Sequence, residues 1–202
     1  MAPIETLADL RRLYGEPSGR ARDKVLARLD AHCRRFIGLS PFVLIATADA
    51  AGAADVSPRG DAPGFVAAEE TRLFIPDRPG NNRLDSLSNI LANGRIGLLF
   101  LIPGVNETLR VNGRAAISDD ADLKARFAIS GRQPRTVIAV EVEEAFLHCA
   151  KAFMRSNLWS PDARVPHSAL PTMGEMLHDQ IGKGGPVETQ AEMERRYAAA
   201  LY

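Results

Sequence analysis

Cysteine, tryptophan and tyrosine are scarce in this chain, at two, one and three among 202 residues, and its 25 basic side chains are matched by 25 acidic ones. Cys33 and Cys149 stand far apart, with no CxxC and no His/Cys cluster, so they read as buried or idle thiols rather than a zinc site. A formal net charge of zero supplies no basic face for a polyanion, and no nucleic-acid partner is expected. The longest apolar run, Ile96 to Ile102, is far too short to span a bilayer. The opening Met1-Ala2-Pro3-Ile4-Glu5 lacks the basic region and apolar core of a signal peptide. A cytoplasmic location with no membrane partner is the expectation.

Several chemical signatures are missing too. No HExxH, paired carboxylate box or EF-hand loop is present, so no metal is expected. His32, His148, His167 and His178 each stand alone, without a GxSxG or Cys–His motif, which leaves nucleophile–base catalysis with little support. His148 beside Cys149 at a strand end reads as structural rather than catalytic. No GxGxxG fingerprint occurs, and Gly182-Lys183-Gly184-Gly185 lacks the Walker spacing and its following Ser/Thr. Internal repeats and low-complexity segments are absent.

What is present begins with helices. Residues 4–14 form a short one, ended by Gly15-Glu16-Pro17-Ser18-Gly19. Over residues 20–36, Val25, Leu29, Cys33 and Phe36 recur at helical spacing, with Leu26 widening the stripe. Acids on the other face offset its bases, so it reads as a core-covering or dimer-contact helix. After Pro41 the chain turns to strands. Phe42 to Thr47 is apolar, Asp49-Ala50-Ala51-Gly52 is a hairpin-type turn, and residues 55–61 continue as a strand whose Pro58 belongs at a bulge or edge. Residues 65–68 and 72–75 form the next pair. Residues 96–102 are apolar on both faces and therefore central. Within residues 107–117, Leu109, Val111, Ala115 and Ile117 alternate with Thr108, Arg110, Asn112 and Arg114. A short helix over 119–127 precedes a long strand over 136–147. The tail holds a short helix after His148, a proline-marked linker, and helices over 173–181 and 188–201. Strands closed by peripheral helices predict one small antiparallel barrel domain: a helical extension at 1–38, a barrel core at 39–148 and a second helical extension at 149–202.

The stretch from Ile75 to Leu91 is the pivot. Pro79-Gly80 and Asn81-Asn82 are turn formers, Asn82 is a candidate N-cap, and Leu84, Leu87, Ile90 and Leu91 form an apolar helical face that Asn93-Gly94 stops. A helix N-terminus carries unpaired N–H groups and partial positive charge, which suits a phosphate, and Arg78 and Arg83 flank this one. Asn81, Asn82 and Ser86 add neutral donors. A capped surface helix with two solvated arginines is the competing reading. With Arg59-Gly60 ending one strand and Lys151 and Arg155 starting the late helix, the rim of the barrel could hold one phosphate and the polar edge of a planar ring.

Thr47-x-Asp49-x-x-Gly52, Ser57-Pro58-Arg59-Gly60-Asp61, the run from Ile75 to Ile90 and Leu109-Arg110-Val111-Asn112-Gly113-Arg114-Ala115 resemble the pyridoxamine 5′-phosphate oxidase-like family of flavin-binding split barrels. His148-Cys149-x-Lys151-Ala152-x-x-Arg155-Ser156-x-Leu158-Trp159 looks like the C-terminal motif of one uncharacterised branch. The resemblance spans about residues 35 to 160. It implies a mainly β fold, a six-stranded antiparallel FMN-binding split β-barrel, in a homodimer with FMN at the subunit interface. It also implies that Ser57, Arg59 and Gly60 run along the flavin, that Arg78, Asn82 and Arg83 hold its phosphate, and that Thr108 lies where the partner subunit reaches the flavin. Lys151, Arg155, Ser156 and Trp159 are placed near the flavin or the substrate pocket. The namesake's C-terminal Arg/His signature is missing and Asn82-Arg83 replaces the usual Arg-Lys pair, so the vitamin B6 activity does not transfer. The expectation is an FMN-dependent oxidoreductase acting on a small molecule, with NAD(P)H as donor. Its catalytic residues stay unassigned. The alternatives are a non-catalytic flavin-binding or redox-sensing protein, the same fold with deazaflavin or haem, and a dimerisation domain with no cofactor.

Overall fold

Alternating side chains build the centre of the molecule. In the computed structural model, which describes residues 3–182 and 186–201, Ile96, Leu98 and Phe100 of one strand are buried while Gly97, Leu99 and Leu101 between them are half-exposed. The elements in chain order are α1 (Leu7–Tyr14), α2 (Gly19–Asp23), α3 (Ala31–Leu39), β1 (Phe42–Ala48), β2 (Ala54–Gly60), β3 (Ala67–Ala68), β4 (Arg72–Asp77) and α4 (Asp85–Asn93). They continue as β5 (Arg95–Leu101), β6 (Thr108–Ser118), α5 (Ala121–Ala125), β7 (Thr136–His148), α6 (Lys151–Ser156), α7 (Met173–Ile181) and α8 (Gln190–Ala200). Of the glycine-rich 182–185 stretch, Lys183, Gly184 and Gly185 lie outside the described residues.

The strands form one sheet in the order β2-β1-β5-β6-β7-β4-β3, with every neighbour antiparallel. The family resemblance implies six strands; the sheet has seven, because the 65–68 segment read from the sequence forms β3, only two residues long and paired with β4. As its apolar run predicts, β5 is central, between β1 and β6. Pro58 sits on the edge strand β2, where a missing N–H costs no ladder bond. A register shift after Asn112 leaves Glu143 of β7 without an opposite residue, so the inward set of β7 changes from Ile138, Val140 and Val142 to Ala145. At that bulge a Cβ on Gly113 would collide with the Glu141 carbonyl oxygen, so only glycine fits.

Ion pairs draw the two sides of the sheet together. Arg59 Nη2 of β2 lies 3.4 Å from Asp77 Oδ1 of β4, and Arg78 Nε lies 2.7 Å from Asp61 Oδ2. The curled sheet encloses Val43, Ile45, Leu73, Ile75, Phe100, Leu109 and Val111, with Cys33 and Ile37 of α3 and Ile90 of α4 packed among them. The opposite face carries Phe42, Leu44, Leu99 and Leu101, half-exposed, with Ala46 and Val56 exposed. None of these six belongs to the core cluster or to the side chains packed on it.

Two helical expectations are corrected. The stripe over residues 20–36 is not one helix: α2 ends at Asp23, and α3 begins at Ala31. Between them Leu26 bridges to Ala145 of β7, and Asp30 caps α3 by accepting from Cys33 N at 2.7 Å. A strand-edge bridge and a strong N-cap outweigh the continuous periodicity, and Val25 is left exposed. Asn82 is not the cap of α4 either. That position is held by Leu84, in the left-handed region at φ 63° and with no side-chain cap. The apolar face shrinks accordingly, with Leu84 and Leu91 exposed and Ile90 buried. The stop at Gly94 forms as expected, at φ 68°.

Candidate functional site

The corner between β2, β4 and α4 gathers most of the expected residues. Ser57 and Arg59 project from alternate positions of β2, and the Arg59 guanidinium donates to Ser57 Oγ and to the Pro58 carbonyl (2.9 Å). Ser86, buried in the first turn of α4, donates to Asp55 Oδ2 at 2.8 Å and lies 3.3 Å from Ser57 Oγ. Strand β2 and the start of α4 are thereby locked together. Gly60 ends β2, where a Cβ would meet the Pro41 carbonyl oxygen at 3.4 Å.

The loop from β4 to α4 is unusual in its backbone. Asn82 (φ 59°) and Leu84 (φ 63°) are both left-handed, and such a conformation in a leucine costs on the order of 1–3 kcal/mol. Asn81 Oδ1 accepts from Arg83 N at 3.1 Å, and Asn82 Oδ1 accepts from Arg135 Nη1 at 3.2 Å. Arg83 is exposed. Its Nε donates to Asp85 Oδ2 at 2.7 Å, and that carboxylate raises the guanidinium pKa. Its terminal nitrogens meet no protein acceptor among the described residues.

Arg78 takes another direction. Besides Asp61, whose side chain is 5% exposed, it donates to the Phe127 carbonyl at 3.2 Å. It lines a cleft of about 340 Å³ with Asp61, Phe65, Arg126, Phe127 and Ile129. Asp77 beside Arg59 is half-buried, and desolvation pushes its carboxyl above the usual range while Arg59 opposes the shift.

The remaining expected residues lie at the end of the β6–β7 hairpin. Thr108 is buried and pairs with His148, the last residue of β7. Lys151, Arg155 and Ser156 follow on α6, all exposed; Ser156 Oγ donates to the Phe153 carbonyl. Trp159 stacks on Phe153 at 5.4 Å and donates to the Val105 carbonyl at 2.9 Å, which ties the segment after α6 to the loop before β6. Between Ser57 on β2 and Thr108 on β6 stand β1 and β5, three interstrand steps or about 14 Å. Within one chain the two groups remain separate.

The sequence model of pyridoxamine 5′-phosphate oxidase matches residues 29–149, more than half of the chain. The chain belongs to this family. Solved structures show some similarity to the chain. A HupZ variant from Group A Streptococcus is 18% identical at a TM-score of 0.50, covering 59% of this chain and 99% of its own. A putative pyridoxamine 5′-phosphate oxidase from Lactobacillus delbrueckii is 19% identical at a TM-score of 0.48, covering 60% and 95%. HutZ, the haem storage protein of Vibrio cholerae, is 12% identical at a TM-score of 0.41, covering 60% and 94%. Among curated proteins none matches this sequence. The architecture is the split barrel of the family, here with a seven-stranded sheet.

Family membership leaves the ligand to the residues themselves. Guanidinium, amide and hydroxyl donors surround the corner, a set that suits phosphate oxygens and the polar edge of a ring. No metal-binding group of three His, Cys, Asp or Glu exists among the described residues. The histidines sit elsewhere: His32 on α3, His148 ending β7, His167 and His178 in the tail. No helix among the described residues is long and apolar enough to cross a membrane.

Sequence reasoning did not single out the acids that organise the corner. Asp61 lies inside the quoted Ser57–Asp61 motif, but its pairing with Arg78 spans 17 residues and no local pattern signals it. Arg135, just before β7, and Arg126 on the far side of the cleft gave no signal either.

Proposed function

We propose that the protein is an FMN-dependent oxidoreductase that acts as a homodimer, with FMN held between the corner of one subunit and the hairpin end of the other. The observation that carries this is the loop from Asn82 to Ser86. It combines two left-handed residues, an α4 N-terminus without a side-chain cap and an exposed Arg83 whose terminal nitrogens have no protein acceptor among the described residues. Backbone strain held beside unpaired N–H groups and an outward-facing guanidinium is what phosphate binding would use.

In this reading Arg83, with the first N–H groups of α4, takes the phosphate. The Asn82 amide group joins it, while its carbonyl stays on Arg135. Ser57, Arg59 and Gly60 line the ribityl chain and the ring edge. The Arg59–Asp77 pair keeps that guanidinium in place, and Arg78 supports the loop from beneath through Asp61. Bound flavin would supply two-electron chemistry between a nicotinamide donor and a small acceptor. The protein's part is to orient the ring and to exclude water around it.

The uncovered sheet face supports the dimer. Phe42, Leu44, Leu99, Leu101, Ala46 and Val56 form a continuous apolar surface on β1, β5 and β2, which a second copy would bury. Thr108, Lys151, Arg155 and Ser156 would then reach the partner's corner, across a gap that one chain does not close.

Flavin titration and anaerobic reduction test the proposal. Apoprotein should quench FMN fluorescence at one FMN per subunit and bind riboflavin much more weakly. NADH or NADPH should bleach the bound flavin. Equal affinity for FMN and riboflavin would overturn the phosphate assignment. Tight binding without reduction by any donor would make the protein a flavin carrier or sensor.

A further inference from the structure

The end of the β6–β7 hairpin holds a second cationic site that the corner does not account for. Phe146 and Arg110 are cross-strand partners, and the Arg110 guanidinium lies 5.3 Å from the Phe146 ring. Lys24, at the end of α2, donates to the Leu147 carbonyl at 2.6 Å and places its ammonium 5.2 Å from the same ring. Two like charges therefore share one phenyl group. His148 lies 5.0 Å from that ring, and Lys151 begins α6 three residues later.

No carboxylate offsets these charges. Lys24, Arg110, Lys151 and Arg155 form no ion pair among the described residues, although twelve such pairs occur elsewhere. Among the acids of the hairpin, Glu144 accepts from Asn112 at 2.7 Å, Glu143 pairs with Arg95 and Arg114, and Glu141 stands opposite Arg114. Attraction to the ring quadrupole holds each exposed cation by only about 0.5–1 kcal/mol. The positions are set instead by the backbone: Lys24 by its bond to Leu147, Arg110 by the β6 register. The Nε2 atom of His148 is buried without a hydrogen-bond partner. Burial and the nearby Arg110 and Lys24 charges hold the imidazole pKa below its ordinary value.

We propose that Lys24 and Arg110 form a phosphoryl-recognition site, distinct from the loop at the start of α4, that grips the phosphate of a small-molecule ligand. Two cations held on one aromatic ring match a dianion better than a single carboxylate. Arg110 supplies a planar fork, and Lys24 acts as a point charge. This assignment rests on the geometry of the hairpin end alone and stands whether or not flavin binds at the corner.

Thermal unfolding at constant ionic strength provides the test, with inorganic phosphate as probe and chloride as control. Phosphate should raise the Tm of the wild type, and Lys24→Gln with Arg110→Gln should abolish the rise while leaving the Tm in chloride unchanged. Arg110→Lys should keep part of the rise, and Arg83→Ala, at the other site, most of it. Binding of NADPH against NADH, and of FMN against riboflavin, then identifies the source. A preference for one phosphorylated partner that the double variant loses assigns the site to that ligand. No rise above chloride in the wild type, or a full rise in the double variant, would overturn the proposal.

Discussion

The corner at the start of α4 and the end of the β6–β7 hairpin both gather cationic side chains, yet they use them differently. In the corner, Arg59 faces Asp77, Arg78 faces Asp61 and Arg83 faces Asp85, so the charges are largely settled within the chain. At the hairpin end Lys24 and Arg110 lie against Phe146, beside His148, and form no ion pair among the described residues. Arginines in the first region serve mainly as architecture, joining β2 to β4; those in the second contribute little to folding and are left for a ligand. Counting basic residues along the sequence does not separate the two roles. Whether a buried carboxylate stands opposite does.

The largest expected effect is therefore in the corner. Arg78→Ala leaves Asp61 buried without its guanidinium, and equilibrium denaturation should show a loss of about 3 kcal/mol or more. A loss comparable to that of an exposed salt bridge would remove the architectural role. Arg83→Ala should leave the Tm almost unchanged but weaken FMN binding roughly ten- to a hundredfold; unchanged FMN affinity would return this loop to an ordinary helix start.

The thiols sharpen the comparison next. Cys149 is exposed, and its pKa is lowered by a backbone hydrogen bond from Lys151 and by the Lys151 and Lys24 charges, whereas burial pushes Cys33 up to about 11. Iodoacetamide near neutral pH should label Cys149 at least tenfold faster than Cys33 in the folded protein. Comparable rates would mean that the hairpin end lacks the positive field described. The smallest effect concerns His148. Its folded pKa is lowered, so the unfolded chain binds more protons between that value and the ordinary 6.5. Stability should fall as the pH drops through this window, and His148→Gln should flatten that loss. A pH profile identical in the variant would place the titration elsewhere.

Much of the barrel was legible because strand alternation is a local property. Leu109, Val111, Ala115 and Ile117 declared the inner face of β6, Ile96 to Leu101 declared a central strand, and Asn93-Gly94 declared a helix stop. The bulge opposite Gly113 was not legible, since one extra residue in β7 leaves no mark on composition. The break between α2 and α3 was hidden for a related reason: the bridge from Leu26 to Ala145 is a contact across more than a hundred residues, and periodicity sees only neighbours. At the site, the turn from Pro79 to Asn82 and the outward-facing Arg83 could be read locally. The left-handed Leu84 could not, because leucine rarely adopts that conformation without tertiary constraint. Lys24 and Arg110 looked like solvated charges until the fold brought both to Phe146.

The most direct test of the account is the visible absorbance of freshly purified protein, followed by mass identification of what heat releases. The account predicts the two-banded spectrum of an oxidised flavin and the mass of FMN. A Soret band, a released deazaflavin, or a colourless protein that ignores added FMN would contradict it.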